Sequence, residues 1–360
     1  MEQTISIKDR DSLIISLHDL EYHALKRINL HIKCNEIYCI IGKNDSGKSE
    51  LLRYINNINK PHYGRIIIEQ QNLNSLLDKD LNQLRRQMAL LNKNPQLISS
   101  KNIFHNVALP LYLSKDHKNH SKKDVNKIVE SILNFLGITD QFFAYPNQLN
   151  LFQKQVVSIA RALVMQPKIL LCDDITYYLD IKSTNQISNL LKAINKEFGT
   201  TILVASNDIE IIKNLSHRIG VMDNGTIIEE SSPYEIFASP KTEFSKELVR
   251  ATTRQEMPWI YRRKIRFQNT QNQNPIIRIS FTTIVSAEHL LGQLIECFQF
   301  KISIIQAYQE HIQLKPINVI LAEIEGSVLE DFQEHFLEAM EFLRKHELNI
   351  EILGYVANSG

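Results

Sequence analysis

The stretch EIYCIIGKNDSGKSELL, residues 36–52, decides the architecture of this chain. It opens on the short apolar run 37–41, the pattern of a strand buried on both faces. It turns through Gly42-Lys43-Asn44-Asp45-Ser46-Gly47-Lys48-Ser49, which fits GxxxxGK[ST]. It runs on as SELLRYINNI (49–58), with Leu51, Leu52, Ile55 and Ile58 at helical spacing. Strand, glycine-bounded turn and helix in that order make a phosphate cradle. Gly42 and Gly47 permit backbone angles that aim successive N–H groups at phosphate oxygens. The helix start turns its positive dipole end toward the anion. Lys48 is placed to reach the β- and γ-phosphates, and Ser49 offers a hydroxyl to Mg2+. Such a loop needs an acid at the end of a neighbouring strand, and Asp173, closing KILLCD (168–173), has that position. Ser49 and Asp173 are therefore the expected metal ligands.

Ahead of this stretch, SLIISLH (12–18) and INLHI (28–32) alternate apolar and polar residues, as half-buried strands do. Strands are predicted at 65–69 and 88–92 and a helix at 80–87. Residues 102–165 read as helical, with breaks at Pro110 and Pro146. KILLCDD (168–174) and TILVAS (201–206) are further buried strands, followed by helices at 182–197 and 208–217. GVMDNGTIIEE (220–230) is a hairpin turning on Asn224-Gly225. Two short helices reach about residue 252. Buried strands alternating with helices predict an α/β domain on a parallel sheet over 1–252, with a helical subdomain at about 93–165. The stretch 253–274, with Pro258, the cations Arg262, Arg263, Lys264 and Arg266 and the polar tract QNTQNQN, reads as a linker. A strand at 276–283, a helix at 286–298, strands at 300–309 and 316–324, a helix at 327–345 and a strand at 348–356 then give βαββαβ, the ferredoxin-like order, over 275–358.

The length of 360 residues suits two domains. Lys and Arg number 41 against 40 Asp and Glu, a net charge of +1 that gives no basic field for nucleic acid. Cys34, Cys39, Cys172 and Cys297 form no metal-ligand spacing and read as reduced thiols of a cytoplasmic protein. The N-terminus carries no apolar signal segment, and no run approaches the ~18 apolar residues of a spanning helix.

YPNQLNLFQKQVVSIARALVMQPKILLCDDITYYLD (145–180) resembles the signature helix and acidic strand end of ABC transporter ATPases. The resemblance extends to NVALPL (106–111), TILVASNDIE (201–210) and VMDNGTIIEE (221–230). The tail ending in EILGYV (351–356) is similar to the methionine-importer branch, whose ATPase carries a C-terminal ferredoxin-like regulatory domain. The resemblance implies a P-loop NTPase fold with a parallel-sheet core and helical subdomain, plus that α+β domain. It implies ATP and Mg2+ as cofactors, and a dimer on the cytoplasmic face of the cell membrane. It implies a membrane permease as partner, a substrate-binding protein acting through the permease, and an amino-acid ligand on the C-terminal domain. Residues 42–50 would hold the nucleotide, with Tyr22 either stacking on its base or serving as a plain surface or core aromatic. Ser303 and Gln306 are polar strand positions that could line a C-terminal ligand site.

The departures from the family pattern carry as much information. LSGGQ is replaced by Leu149-Asn150-Leu151-Phe152-Gln153, which puts bulk where glycines let phosphate approach and leaves Asn150 able to cap a helix. The catalytic glutamate after Asp173 is Asp174, one methylene shorter, and a displacement of about 1 Å can cost about a hundredfold in rate. The switch histidine is Asn207, which donates a hydrogen bond but carries no charge. The Q-loop glutamine is Lys93, whose charge repels Mg2+ while attracting phosphate. Asp45 replaces a glycine and Glu50 a threonine, each setting negative charge near phosphate. Nucleotide-binding positions thus survive while Asp174 and Asn207, at the catalytic positions, are altered. Two readings stay open: the ATP-binding subunit of an importer for methionine or a related amino acid, with slow hydrolysis at most, or a nucleotide-binding pseudo-ATPase serving beside an intact paralogue. The dimer is correspondingly a homodimer or a heterodimer.

Overall fold

The computed structural model describes residues 12–56, 63–114, 121–252, 257–267, 273–281, 287–313, 315–325, 332–345 and 348–357. The chain divides into two compact units, Met1–Pro233 and Tyr234–Gly360. The first runs β1 (Leu13–Tyr22), β2 (Leu25–Lys33), β3 (Ile37–Ile41), α1 (Lys48–Ile55), β4 (Tyr63–Ile68), β5 (Gln71–Asn72), α2 (Asp78–Arg85) and β6 (Met88–Asn92). Three helices follow, α3 (Ile103–Leu113), α4 (Lys122–Phe135) and α5 (Leu151–Leu163). It ends with β7 (Ile169–Asp173), α6 (Ile181–Phe198), β8 (Thr201–Ala205), α7 (Ile209–Leu215), β9 (Arg218–Asp223) and β10 (Thr226–Ser231).

The main sheet has the order β10-β9-β3-β8-β7-β6. Neighbours from β9 to β6 are parallel, and β10 alone runs antiparallel. Every residue of β3, β7 and β8 is buried, as their continuous apolar runs require of central parallel strands. The second sheet, β2-β1-β4-β5, is antiparallel. Its inward residues Leu17, Leu30 and Ile66 share one core with Leu51 and Leu52 of α1 and Leu171 and Leu203 of the main sheet. The turn of the β9–β10 hairpin has both Asn224 (φ 45°) and Gly225 (φ 82°) left-handed, the geometry that Asn-Gly favours.

The break expected at Pro110 does not occur. Helix α3 continues through it to Leu113, and the Ser114 N–H still bonds the Pro110 carbonyl at 3.0 Å. Only three residues of α3 follow the proline, and Val107, Ala108 and Leu111 are buried on both sides of it, so packing outweighs the missing donor.

The second unit holds α8 (Pro233–Ala238), which begins at the division, then α9 (Glu243–Thr252), α10 (Trp259–Lys264), β11 (Gln273–Phe281), α11 (Ala287–Phe298), β12 (Lys301–Ile312), β13 (Lys315–Glu325), α12 (Phe332–Lys345) and β14 (Asn349–Ala357). Its sheet is antiparallel in the order β12-β13-β11-β14, the expected ferredoxin-like arrangement. Ile277 and Ile279 face one core with Phe336, Met340 and Leu343 of α12. Ile276, Leu321 and Val356 face the other side, against Met257, Tyr261 and Ile265. Within the expected linker, residues 257–267 thus form a short helix packed on the sheet, with Arg266 paired to Tyr355 through two 2.8 Å backbone bonds, and Gln273 and Asn274 already belong to β11. Linker residues 253–256 and 268–272, residues 282–283 of the expected strand and 327–331 of the expected helix lie outside the described residues.

Candidate nucleotide site

The parallel order β3-β8-β7-β6 brings the carboxyl ends of these strands together, which is where open α/β sheets bind ligands. The turn from β3 to α1 lies there. Gly47 has φ 103° and Asp45 φ 61°. Asp45 therefore holds, with a β-carbon, a left-handed conformation that costs about 1–2 kcal/mol outside glycine, and its side chain is solvent-exposed. Gly42 is fixed by close approach, since a β-carbon there would lie 2.1 Å from the Met222 carbonyl oxygen. The hairpin turn grips the loop from outside: the Gly225 N–H donates to the Ser46 carbonyl at 3.0 Å, and the Gly225 carbonyl accepts from Lys26 at 2.8 Å.

No side chain caps α1, so its first N–H groups stay open to an anion. The buried Lys48 ammonium donates to the carbonyls of Gly42 (2.8 Å) and Lys43 (2.7 Å) and to Ser46 Oγ (3.3 Å). Burial lowers its pKa, while Asp174, Asp173 and Asp45 pull the other way. Ser49 Oγ donates to Asp173 Oδ1 at 2.6 Å, which puts a hydroxyl and a carboxylate of the kind that bind a hard cation side by side. Glu50 sits in the first turn of α1 and is half-buried.

Asp174 and Asn207 also meet here. Asp174 has φ 49°, and its N–H donates to the Ala205 carbonyl at 2.9 Å. Its carboxylate accepts the Asn207 N–H at 3.3 Å. Burial, the largest influence, raises the Asp174 pKa; Lys48 lowers it, and the charge of Asp173 raises it further. Asn207 Nδ2 donates to Asn44 Oδ1, so the phosphate loop and the strand end behind β8 are tied directly. Asn207 Oδ1 is buried and accepts no hydrogen bond among the described residues. Lys93 comes in from β6: Asn92 pairs with Asp173 in parallel register, so Lys93 and Asp174 leave the sheet side by side. The Lys93 ammonium lies 5.2 Å from the Tyr177 ring centroid, and the Tyr177 N–H donates to the Asp174 carbonyl at 3.0 Å.

Tyr22 is placed differently. It is half-buried at the end of β1, packed edge-on against Tyr54 of α1 at 4.8 Å. It lines an open groove with His23, Leu25, Lys26, Tyr63 and Thr226, and Leu25 of that groove is the side chain a β-carbon on Gly47 would meet at 2.9 Å. A lysine clasped by loop carbonyls, an uncapped helix start and a paired Ser49–Asp173 fit a polyphosphate with Mg2+. The links Asn44–Asn207 and Lys93–Tyr177 escape a reading of the sequence, since each joins segments far apart in the chain.

The model of the ABC transporter family matches residues 25–177. The chain is 34% identical over 336 residues to the methionine import ATP-binding protein MetN of Aliivibrio fischeri, covering 93% of this chain and 95% of that one. The chain belongs to the ABC transporter ATP-binding proteins. It is also 34% identical over 337 residues to MetN of Vibrio vulnificus, with 93% and 95% covered. Among solved structures it is similar to cbiO1 of Clostridium perfringens, part of the ABC transporter complex cbiONQ, at 30% identity and TM-score 0.60, over 68% of this chain and 97% of that one. It is similar, at 31% identity and TM-score 0.55, to a dimeric ATP-binding cassette, MJ0796, in a post-hydrolysis state bound to ADP and phosphate, over 61% of this chain and 98% of that one.

Against the ABC pattern, the signature segment is closed by its own side chains. Asn150 Oδ1 accepts the Gln153 N–H at 2.8 Å, and Gln153 Oε1 accepts the Asn150 N–H at 3.0 Å, a complete capping box at the start of α5. Leu149 is buried, and Leu151 and Phe152 are half-buried. Asp180, at the end of the ABC D-loop, caps α6 by accepting the Ser183 N–H at 2.8 Å, and Tyr177 and Tyr178 before it are exposed. No helix among the described residues is long and apolar enough to cross a membrane.

Proposed function

We propose that this chain is the ATP-binding subunit of an ABC importer for methionine or a related amino acid, seated on the cytoplasmic face of the cell membrane, binding Mg-ATP at residues 42–50 with turnover slow or absent. The observation that carries it is the intact nucleotide half of the site: an uncapped α1, Lys48 held by three oxygens, and the Ser49–Asp173 pair. Around a bound triphosphate, Lys48 supplies fixed positive charge and the loop N–H groups supply oriented dipoles. The metal, held by Ser49 and Asp173, would supply charge neutralisation at the β- and γ-phosphates. Asp174 is the base candidate for an attacking water, and Asn207 positions it through the 3.3 Å N–H bond.

An apolar surface supports a permease partner. A cavity of about 490 Å³ between β6, α3 and α5 is lined by Leu90, Leu109, Pro110, Leu113, Arg161 and Met165, with Leu113 74% exposed. An apolar groove of this size suits a short helix from a membrane-spanning subunit. Strand β12 forms the edge of the C-terminal sheet with Ile304 exposed, which supports dimerisation by that domain. Ser303 Oγ is already taken by Glu325 at 2.6 Å, so an amino-acid ligand would have to compete for it.

A second reading is favoured by the capped α5 start. In a homodimer each composite site would meet Leu151 and Phe152 across the interface. In a heterodimer with an intact paralogue one site would be spared. The deciding experiment measures Mg-ATP binding and phosphate release on one purified sample, with Lys48→Ala as control. Micromolar binding with release above the control establishes the motor subunit. Binding without release establishes the regulatory pseudo-ATPase.

A further inference from the structure

We propose that Lys93 is an internal counter-cation for the bound polyphosphate, so that nucleotide binds this chain with little dependence on Mg2+. The inference rests on residues 42–50 being the nucleotide site. Its starting point is strand register. Asn92 of β6 stands opposite Asp173 of β7, and the next residue of each strand end is Lys93 and Asp174. A permanent cation is thus built beside the two carboxylates that, with Ser49, form the oxygen set for a metal.

Three further observations give that cation a task. Lys93 is exposed, and among the described residues no carboxylate lies within ion-pair distance of its ammonium, although Asp173 and Asp174 are its neighbours across the sheet end. Its ammonium instead faces the Tyr177 ring at 5.2 Å, an exposed cation–π contact weak enough to exchange for a phosphate oxygen. Tyr177 is itself fixed to Asp174 by a 3.0 Å backbone bond, so the stack holds the ammonium near the site rather than letting it sweep through solvent. A divalent ion entering beside Asp173 would sit near this positive charge, whereas a phosphate oxygen reaching Lys93 would gain a counter-charge that offsets its repulsion from Asp173 and Asp174. With Lys48 on one side and Lys93 on the other, the chain supplies from its own side chains part of the neutralisation that a metal otherwise brings.

The test is calorimetric titration of the full chain with ATP, in excess MgCl2 and in excess EDTA. The native chain is expected to show Kd values within about threefold of each other in the two conditions. Lys93→Gln and Lys93→Met, which remove the charge, are expected to bind at least about tenfold more weakly in EDTA than in MgCl2. Lys93→Arg, which keeps the charge, is expected to follow the native chain. Melting curves of each variant confirm folding. A native chain that loses tenfold or more in EDTA overturns the inference, as do uncharged variants whose EDTA-to-MgCl2 ratio equals the native one. Failure of the native chain to bind ATP in either condition overturns the nucleotide reading itself.

Discussion

Helices α1 and α5 both start at positions that the ABC pattern turns toward phosphate, and they start in opposite ways. At α1 the residue before the helix is Gly47, left-handed and without a side-chain cap, so the first N–H groups are unspent. At α5 it is Asn150, extended and locked in a reciprocal capping box with Gln153, followed by Leu151 and Phe152. A cap is worth about 1 kcal/mol to a helix, and leaving it off forgoes that in exchange for an anion site. One helix start has kept the binding arrangement. The other has taken the stability. The difference fits the proposal that nucleotide is bound within one subunit while contact across a dimer is altered.

The heaviest loss is expected at the open end. Lys48→Ala removes the buried ammonium that the loop carbonyls hold and is expected to weaken ATP binding by about a hundredfold, read by calorimetry. Retained affinity would mean that α1 is not the phosphate site, and the contrast between the two helix starts would fail. Next comes the closed end. Replacing Leu151 and Phe152 together by glycine restores the family's small pair and is expected to tighten ATP-dependent self-association by about tenfold, measured by sedimentation, while costing the helix about 1 kcal/mol per glycine. Unchanged association would place the obstruction elsewhere, with the exposed Tyr177 and Tyr178 the next to test. Asn150→Ala separates the cap from the bulk beside it. It is expected to lower stability by about 1 kcal/mol and the melting temperature by a few degrees, with ATP affinity unchanged.

The same division runs through what the sequence disclosed. The phosphate loop, the central strands, the Asn224-Gly225 hairpin and the ferredoxin-like order were readable because each rests on local signals: glycine spacing, continuous apolar runs, a turn dipeptide, a period. Helix α10 was hidden inside a basic, polar stretch, although Met257, Tyr261 and Ile265 recur every four residues and pack on the sheet. Composition masked periodicity there. Pro110 predicts a break in helix α3, yet the helix continues in the fold, because buried neighbours decide what propensity only biases. Lys93 beside Asp174, and Asn44 bonded to Asn207, needed the strand order itself. Residues opposed across a parallel sheet carry no mark of it in sequence.

The mildest change is expected at the altered base. Burial holds the Asp174 pKa above the ordinary carboxylate value. A carboxyl whose pKa rises on folding is favoured by the fold in its protonated form. Its contribution to stability is therefore full below the unfolded value of about 4 and is lost as pH rises through the folded value. At neutral pH the ionised, half-buried Asp174 is a net cost, moderated by Lys48 and by the Asn207 N–H. Asp174→Asn is expected to raise stability at pH 7 by a few tenths of a kcal/mol, since partial exposure screens the effect. That advantage should shrink to nothing as the pH falls toward 4, followed by denaturant melts across the range. An advantage that persists in acid would show that the introduced amide gains by packing or hydrogen bonding instead. A loss at pH 7 would show that the attraction between Asp174 and Lys48 outweighs burial, and that the altered acid still serves to hold the phosphate-binding lysine in place.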